Sequence, residues 1–399
     1  MDWIQHNTYL SKTYTNLTCV ASNIKFACFD LDDTLIIGKK YPATFTTENV
    51  EDKLFELLRR KYMIIIFTNQ SGMSGKKFDH SRWRKDKDML IENFIGKKNI
   101  KYMIKIYVAM DHDIYRKPNP TLWNVMLNDI ASEFKLDKIR VSNKSFYCGD
   151  ACGRLHPSFL KTKIHPSSKV GDFSDVDIKF ANNITPRLQF YSPDEYFLGI
   201  EDQHNLRISG FNPCDYFYDI INNGCFLYDN FIPCPKKEVI IMVGRPASGK
   251  SSYVKQFILP NNYEIISTDL DKSLQSSLKK MENLLSSKKS IIVDNTNPDM
   301  EKRKIYIEMA KKYNYKNIRC ININTSHEIS YHLNNVRNIY SNNKIKKINK
   351  IVYHIYNKKY QQPALSEGFS KIENVNFYLD EILASNILWL NAFLLYSEN

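Results

Sequence analysis

The stretch KFACFDLDDTLI (residues 25–36) gives the first indication of the fold, because an apolar run ends in three carboxylates within four positions. Carboxylates so close together repel one another, and their partial burial costs free energy unless a partner offsets the charge. A divalent cation offsets the charge and also lets a carboxylate approach an anionic phosphate. The stretch therefore predicts a strand that ends in a metal-assisted phosphoryl-transfer site.

Within this cluster, Asp30 is the candidate nucleophile, which would form an aspartyl-phosphate. Asp32 lies two residues further on, and alternate residues of an extended chain point to the same side. Asp32 is therefore placed to donate a proton to the leaving oxygen and to take one from the attacking water. Thr34 is within reach of the same pocket, whereas the pattern gives Asp33 no evident role.

Polar residues also follow three later apolar runs, in the motifs FTNQSG (67–72), YRKPNP (115–120) and YCGDACGR (147–154). The hydroxyl of Thr68 and the amide of Asn69 are suited to hold phosphoryl oxygens, and Lys117 supplies a positive charge for the transferring group. Asp150 is a hard oxygen ligand that suits Mg²⁺. Two acidic residues further along the chain are candidates for steadying the metal site: Asp172 and Asp177.

Apolar, strand-like runs alternate with helix-like stretches in two separate parts of the 399-residue chain. The runs of the first part are 25–29, 63–67, 104–110 and 145–149, and those of the second are 238–243, 263–267, 290–294, 318–324 and 374–379. Such alternation predicts two α/β domains, each with a parallel sheet whose carboxyl ends carry the motif residues. A turn-rich aromatic segment (208–235) lies between the parts, so the predicted domains are residues 1–235 and 236–399.

The second part opens on GRPASGKS (244–251), which directly follows an apolar run and precedes the helix-like SSYVKQFI. The form GxxxxGK[ST] in that context predicts a P-loop that binds ATP. In a P-loop, backbone N–H groups cradle the phosphates, Lys250 neutralises the β- and γ-phosphates, and Ser251 binds Mg²⁺. The candidate nucleotide-binding residues of this loop are Gly244, Ser248, Gly249, Lys250, Ser251 and Ser252.

Four further residues complete the predicted kinase site. Asp269, at the end of a strand-like run, is placed to accept a proton from an attacking hydroxyl, although an ordinary helix cap is the competing interpretation. Asp294 in DNTNP (294–298) is the candidate for a metal or phosphate partner. Arg303 and Arg337 are candidates for contacting the ATP phosphates, although each taken alone resembles an ordinary surface arginine.

Composition favours an intracellular protein that binds a polyanion. The net charge of +13 suggests nucleic acid as a partner, although an AT-rich genome would also enrich the chain in lysine. The amino-terminal residues show no secretory pattern, and no cysteine pair has the spacing of a zinc site. The most apolar stretch (382–396) is too short and interrupted to span a membrane, and predicts core packing. The basic run NKIKKINK (343–350) predicts a solvated helix face, with nucleic-acid contact as the alternative.

The first motif set resembles the haloacid dehalogenase superfamily, although many members have glycine where this chain has Asp33. The whole set resembles the polynucleotide kinase 3′-phosphatase family. The stretches that carry this resemblance are FDLDDTLI, IIIFTNQSG, YRKPNPTLW, YCGDACGR, GRPASGKSS, VDNTNPD and QQPALSEGFS. The resemblance implies a phosphatase domain followed by a P-loop kinase domain. It also implies that Asp30 is the nucleophile, Asp32 the acid/base, and that Mg²⁺ is held by Asp30, the backbone carbonyl at position 32, and Asp150.

The implied activity is the healing of DNA ends, by removal of 3′-phosphates and ATP-dependent phosphorylation of 5′-hydroxyls. We expect a monomer, located in the nucleus if the source is cellular and in the cytoplasm if it is viral. The few residues before Lys25 do not encode the forkhead-associated domain of vertebrate members, so recruitment by that route is not expected. Thr268 and the register of Arg337 depart from the family pattern. Action on RNA, a metabolite phosphatase fused to a metabolite kinase, and an inactive nucleic-acid-binding scaffold stay open as alternatives.

Overall fold

The computed structural model describes residues 2–38, 40–96, 100–164, 171–223, 231–377, 379 and 385–398. The chain divides into two compact units, one of Met1–Asn212 with Leu395–Asn399 and one of Pro213–Leu394. This division lies earlier than the predicted boundary after residue 235. The helix that begins at Pro213 belongs to the second unit, where its Tyr216 ring lies 6.3 and 6.5 Å from the rings of Phe377 and Phe393.

The first unit contains a mixed sheet. Its described strands are β1 (Ile4–Gln5), β2 (Tyr9–Thr15), β3 (Asn23–Phe29), β4 (Tyr62–Asn69), β5 (Met103–Ala109), β6 (Arg140–Val141), β7 (Phe146–Cys148) and β8 (Gln189–Tyr191). The strand order is β1-β2-β5-β4-β3-β7-β8, with β6 beside β3. The strands from the four predicted runs pair in parallel, as expected. Strand β2 extends the sheet antiparallel to β5, an addition that the sequence analysis did not predict.

Helices cover both faces of this sheet. They are α1 (Glu48–Arg59), α2 (His80–Gly96), α3 (Thr121–Glu133), α4 (Phe159–Ile164), α5 (Val176–Asn183) and α6 (Pro193–Leu198). Successive residues of a strand point to opposite faces, so Phe29 joins a hydrophobic cluster with Leu54 of α1, whereas Phe26, three positions earlier, joins another with Trp123 of α3. With both faces buried, the carboxyl edge of the parallel strands is where polar motif residues can gather.

The second unit contains a parallel sheet. Its described strands are β9 (Glu238–Gly244), β10 (Glu264–Ile266), β11 (Ile291–Val293), β12 (Asn317–Ile323) and β13 (Lys371–Val375), in the order β10-β11-β9-β12-β13. Each neighbouring pair is parallel, which confirms the predicted fold class. The last strand begins three residues before the predicted run 374–379, of which residue 378 lies outside the described residues. The central strand β9 leads directly into the P-loop.

The helices of the second unit correct two predictions, one about the basic run 343–350 and one about the apolar stretch 382–396. They are α7 (Pro213–Asn223), α8 (Lys250–Tyr253), α9 (Thr268–Asp271), α10 (Leu274–Ser286), α11 (Met300–Lys312), α12 (His327–Tyr340), α13 (Lys350–Lys359) and α14 (Ile387–Phe393). The basic run 343–350 is not a helix face: it forms the turn between α12 and α13, and only its last residue is helical. Helix α14 buries Trp389 and Phe393 but leaves Leu388 70% exposed, so the apolar stretch 382–396 is only partly core. Its residues 382–384 lie outside the described ones.

Among the described residues, no helix has both the length and the apolar composition needed to cross a membrane.

Candidate active sites

Asp30 directly follows β3, and its carboxylate contacts Lys117 of the YRKPNP motif. The Nζ atom of Lys117 lies 2.5 Å from Asp30 Oδ1 and 2.7 Å from Asp177 Oδ1, and it also donates to the Tyr147 hydroxyl at 3.0 Å. All four side chains are buried. Burial by itself lowers the pKa of Lys117, but the carboxylates of Asp177 and Asp30 outweigh burial and raise this pKa overall. The lysine is therefore a buried cation aimed at the candidate nucleophile.

Asn69 holds the backbone of Lys117. Its Oδ1 accepts a hydrogen bond from Lys117 N at 2.9 Å, and its Nδ2 donates to Lys117 O at 3.2 Å. This reciprocal pair fixes the lysine's loop to the end of β4. The prediction that the Asn69 amide holds phosphoryl oxygens is therefore corrected, because both polar atoms of that amide are engaged with the lysine backbone.

Asp32 and Thr68 meet through a glutamine that the sequence analysis missed. Gln70 Nε2 donates to Asp32 Oδ2 at 2.5 Å and to Thr68 Oγ1 at 3.0 Å. Burial raises the pKa of Asp32, although the Gln70 hydrogen bond lowers it. A raised pKa suits a carboxyl that must carry a proton before it donates it. The available signal for Gln70 was its place beside Asn69 in FTNQSG.

Three carboxylates form the candidate metal centre. Among the described residues, Asp30, Asp150 and Asp177 offer oxygens that all lie within 4.8 Å of one another. Hard oxygen donors are what Mg²⁺ prefers, so this donor set fits that ion. The close approach of Asp177 requires a glycine at position 149, because a Cβ there would lie 2.5 Å from the Asp177 Cγ. The Asp32 carboxylate lies outside this group and accepts a hydrogen bond from Gln70, which leaves the backbone carbonyl as the ligand expected from position 32.

A buried charge network supports the loop that carries Asp150. Lys161 Nζ lies 2.8 Å from Asp150 Oδ2 and 3.3 Å from Asp172 Oδ1. Asp172 also accepts a hydrogen bond from Arg154 Nε at 2.7 Å. Burial raises the pKa of Asp150 to about 6, even though Lys161 lowers it. Asp172 therefore lies outside the group of three carboxylates and is linked to Asp150 through Lys161.

Asp33 shapes the turn after the first motif. Its φ is +57°, in the left-handed region that favours glycine but that aspartate also tolerates. Its Oδ1 accepts a hydrogen bond from Gly38 N at 2.9 Å, and its own N–H donates to Ile36 O at 2.7 Å. The structure thus gives Asp33 a local backbone role. The Thr34 hydroxyl lies 3.5 Å from Asp150 Oδ1, at the candidate metal centre.

In the second unit, the P-loop joins β9 to α8 and turns at Gly249, whose φ is +95°. Lys250 Nζ donates to Gly244 O at 2.9 Å and to Arg245 O at 2.5 Å, so the buried amine lies inside the loop. The Ser251 side chain hydrogen-bonds to Asp294. The structure therefore brings the predicted loop lysine, loop serine and DNTNP aspartate together.

Two cavities, of about 250 and 440 Å³, share Lys250, Ser251 and Arg337 in their walls. The smaller cavity is also lined by Ser248, Gly249, Ser252, Ile323, Val375, Phe377 and Trp389. Its apolar wall beside a phosphate-binding loop suits a nucleoside base. The larger cavity is also lined by Thr268, Asp269, Asp294 and Asn295. The Nε atom of Arg337 is buried with no hydrogen-bond partner among the described residues.

The larger cavity contains Asp269 at the start of α9. The competing interpretation of Asp269 was an ordinary helix cap. The cap-like contact is made by Asp271, whose Oδ2 accepts a hydrogen bond from Ser267 N at 3.1 Å. Thr268 donates both its N–H (3.0 Å) and its hydroxyl (2.8 Å) to Asn295 Oδ1. Thr268, which departs from the family pattern, therefore ties the Asp269 helix to the DNTNP loop.

Arg303 lies apart from the two cavities, contrary to the predicted ATP contact. Its guanidinium is fully buried and donates to both carboxylate oxygens of Glu367, at 2.7 and 2.8 Å. It also donates to the carbonyl oxygens of Asn297 and Pro298, at 3.2 and 3.1 Å. Arg303 therefore joins the DNTNP loop to the PALSEGF segment.

We expect Arg303→Met to destabilise the second unit by about 3–5 kcal/mol, because it leaves Glu367 buried without its cation. The double variant Arg303→Met/Glu367→Leu should be clearly more stable than this single variant, because it removes both charges. Urea unfolding measures both effects. ATP affinity per folded molecule should be unchanged in the double variant, and a tenfold loss would restore Arg303 as an ATP contact.

The pKa of Lys250 predicts how ATP binding depends on pH. Burial lowers the pKa of Lys250 to about 8, although Asp294 raises it. The phosphates of ATP would favour the charged form of the Lys250 amine. Above pH 8 this amine is mostly neutral in the free enzyme, so it must take up a proton when ATP binds. The dissociation constant for ATP should then rise by about tenfold per pH unit above pH 8. Calorimetric titration from pH 7 to 9.5 checks this, and Lys250→Arg, which stays charged, should lack the rise.

These units define a class of protein: a two-domain enzyme in which a phosphatase domain precedes a P-loop kinase domain. The family model described as polynucleotide kinase 3 phosphatase matches residues 25–197, and that of the AAA domain matches residues 239–361. The chain belongs to the family of bifunctional polynucleotide phosphatase/kinases, as its full-length relatives show.

One relative is an Acanthamoeba polyphaga mimivirus protein named "Putative bifunctional polynucleotide phosphatase/kinase", which is 44% identical over 100% of this chain and 95% of its own length. Another is the bifunctional polynucleotide phosphatase/kinase of Schizosaccharomyces pombe, 30% identical over 88% of this chain and 80% of that protein. The polynucleotide 3′-phosphatase ZDP of Arabidopsis thaliana is 30% identical over 44% of this chain and 24% of its own length.

Proposed function

We propose that this polynucleotide phosphatase/kinase heals broken DNA, removing 3′-phosphates through an aspartyl-phosphate on Asp30 and phosphorylating 5′-hydroxyls with ATP. The observation that supports the proposal is the presence of two candidate phosphoryl-transfer sites, the Asp30–Lys117 contact of 2.5 Å in one unit and the P-loop cavities in the other. Removal and addition of phosphate at one atom would be futile. At opposite ends of a break they leave termini that a ligase can join.

In the phosphatase unit, Asp30 attacks the phosphorus of the 3′-phosphate and the bond from phosphorus to the 3′-oxygen breaks. Asp32, held by Gln70, protonates that oxygen and then takes a proton from the water that hydrolyses the aspartyl-phosphate. Lys117 orients the nucleophile and stabilises the charge of the phosphoryl group. Mg²⁺ held by Asp30 and Asp150 would supply neutralisation of phosphate charge.

In the kinase unit, Asp269 takes the proton of the 5′-hydroxyl, whose oxygen attacks the γ-phosphorus of ATP while ADP leaves. The arrangement that supports this role is the larger cavity, where Asp269 and the P-loop share one space. Lys250 and Arg337 line both cavities and stabilise the phosphates. Ser251 and Asp294 would hold Mg²⁺, which neutralises the charge of the β- and γ-phosphates.

Charge supports a nucleic-acid substrate. The net charge of +13 favours a polyanion, and phosphate contacts supply most non-specific affinity for DNA. The turn 343–350 carries four lysines, the last of which, Lys350, begins α13. Its Ile348 and the following Val352 line the cavity of Asp269, so this basic surface borders the acceptor site.

Replacing Lys344, Lys346, Lys347 and Lys350 by glutamine should weaken DNA binding and reduce its salt slope by about one for each phosphate that is no longer neutralised. Fluorescence anisotropy at several salt concentrations measures the slope. The matched control replaces Lys236, Lys237, Lys288 and Lys316, which lie by the amino ends of the strands. Equal salt slopes in both quadruple variants would indicate that the turn 343–350 is a solvated surface that does not contact DNA.

A nicked duplex with a 3′-phosphate and a 5′-hydroxyl, incubated with Mg²⁺ and ATP, tests the whole proposal. We expect both termini to be converted and the nick to become ligatable. A matched RNA duplex tests the alternative substrate, because nothing in the two sites is assigned to a 2′-hydroxyl. Turnover of sugar phosphates or nucleosides with neither DNA end processed would contradict the proposal and favour the metabolite enzyme.

A further inference from the structure

Residues 395–398, here called the return segment, follow the kinase unit in sequence but belong to the phosphatase unit. We propose that the return segment positions the loop of Lys117, and that Glu398 and Arg116 are positioning residues for phosphatase catalysis. This inference rests on the proposed phosphatase reaction and adds a requirement to it.

The return segment pairs with the last residue of α5. Tyr396 N donates to Asn183 Oδ1 at 2.8 Å, and Asn183 Nδ2 donates to Tyr396 O at 2.8 Å. Asn183 is buried, so water does not compete readily for these bonds. The backbone of the return segment is thus fixed at the end of that helix.

The same asparagine holds the residue that follows the catalytic lysine. Asn183 Nδ2 also donates to Pro118 O at 2.9 Å. Helix α5 carries Asp177 near its start, and that carboxylate accepts a hydrogen bond from Lys117 Nζ at 2.7 Å. One short helix therefore contacts the amine of Lys117 at one end and the backbone next to Lys117 at the other.

Glu398 holds the residue that precedes the catalytic lysine. Arg116 donates to it through Nε at 3.2 Å and through Nη2 at 3.1 Å. The two side chains are only 17% and 24% exposed. A two-point contact between a guanidinium and a carboxylate fixes orientation as well as distance. The return segment therefore holds the loop on both sides of Lys117.

This support matters because Lys117 acts through a short contact with Asp30. A displacement of about 1 Å at a reacting group can cost up to about 10²-fold in rate. The Asn69 clamp on the Lys117 backbone uses neither Arg116 nor Glu398, so we expect it to persist when that ion pair is broken. We therefore expect a partial loss, of about tenfold in phosphatase kcat.

The test uses the full chain, with a DNA oligonucleotide that ends in a 3′-phosphate. Glu398→Gln and Arg116→Gln should each lower phosphatase kcat by about tenfold and leave KM within about twofold. The double variant should be no slower than the slower single variant, because both changes break the same ion pair. Kinase turnover on a 5′-hydroxyl end, measured on the same preparations, should be unchanged. Arg116→Lys keeps the charge without the two-point geometry and should show a smaller loss.

Glu308→Gln, which removes an exposed ion pair with Lys304, is the matched control and should leave both activities unchanged. If the phosphatase kcat of Glu398→Gln is within twofold of the wild-type value, this inference is overturned and the proposed function is unaffected. Equal losses of kinase and phosphatase turnover would also overturn it, because they would indicate a general folding defect. A folded wild-type enzyme without 3′-phosphatase activity would overturn the proposed function and the inference with it.

Discussion

Asp30→Asn should abolish 3′-phosphate removal, with a loss of about 10⁴-fold or more in turnover, and should leave 5′ phosphorylation unchanged. The substitution keeps the size of the side chain but removes the nucleophilic oxygen and one carboxylate of the candidate metal centre. Lys117 keeps Asp177 as a buried partner, so we expect the unit to fold. A radiolabelled 3′-phosphate release assay, run beside a kinase assay on the same preparation, measures both activities.

Asp52→Asn is the matched control, because this exposed aspartate lies on α1, away from the described carboxylate cluster. It should retain both activities. Two results would count against Asp30 as nucleophile: substantial 3′-phosphate release by Asp30→Asn, or loss of both activities in a variant whose circular dichroism and melting match the wild type. The second result would also contradict two independent sites.

Lys250→Ala should do the reverse, lowering kinase turnover by about 10²–10³-fold while 3′-phosphate removal continues. The lysine lines both cavities of the second unit, so its charge is available to phosphates approaching from either one. In the described structure its amine is held by the loop carbonyls at Gly244 and Arg245. Removal of the amine should therefore weaken phosphate stabilisation, while the buried Asp294 keeps its hydrogen bond with Ser251.

Kinase turnover at saturating ATP decides this prediction, because a loss confined to KM would mean that the lysine only helps ATP to bind. Lys279→Ala, an exposed lysine on α10, is the control and should behave as the wild type. Retention of full kinase turnover by Lys250→Ala would contradict the assignment of the P-loop as the site of phosphoryl transfer.

Much of the fold was predictable because its signals are local. Apolar runs mark buried parallel strands, and motif residues at strand ends must gather at one edge of the sheet. That reasoning placed Asp30 and Lys117 together, and likewise Lys250 and Ser251. Local signals do not identify partners that are distant in the chain. Arg303 was predicted to contact ATP, but it pairs with Glu367, 64 positions away.

Side-chain direction was the other source of error. Asn69 sits where a phosphate-binding amide was expected, but it faces the backbone of Lys117. Asp172 and Asp177 were predicted alike to steady the metal site, but Asp177 joins Asp30 and Asp150, whereas Asp172 accepts a hydrogen bond from Arg154. Spacing along a strand fixes which side a residue faces, but packing around it decides which partner it meets.

By itself, the order of residues determined two parallel α/β units, one with an acidic strand end and one with a P-loop, because hydrophobic periodicity and short motifs act over a few neighbouring positions. Only the tertiary structure decided which polar atoms share a partner, since those contacts depend on how distant segments pack. The clearest case is the return segment, where Tyr396 meets Asn183 across 213 positions of sequence.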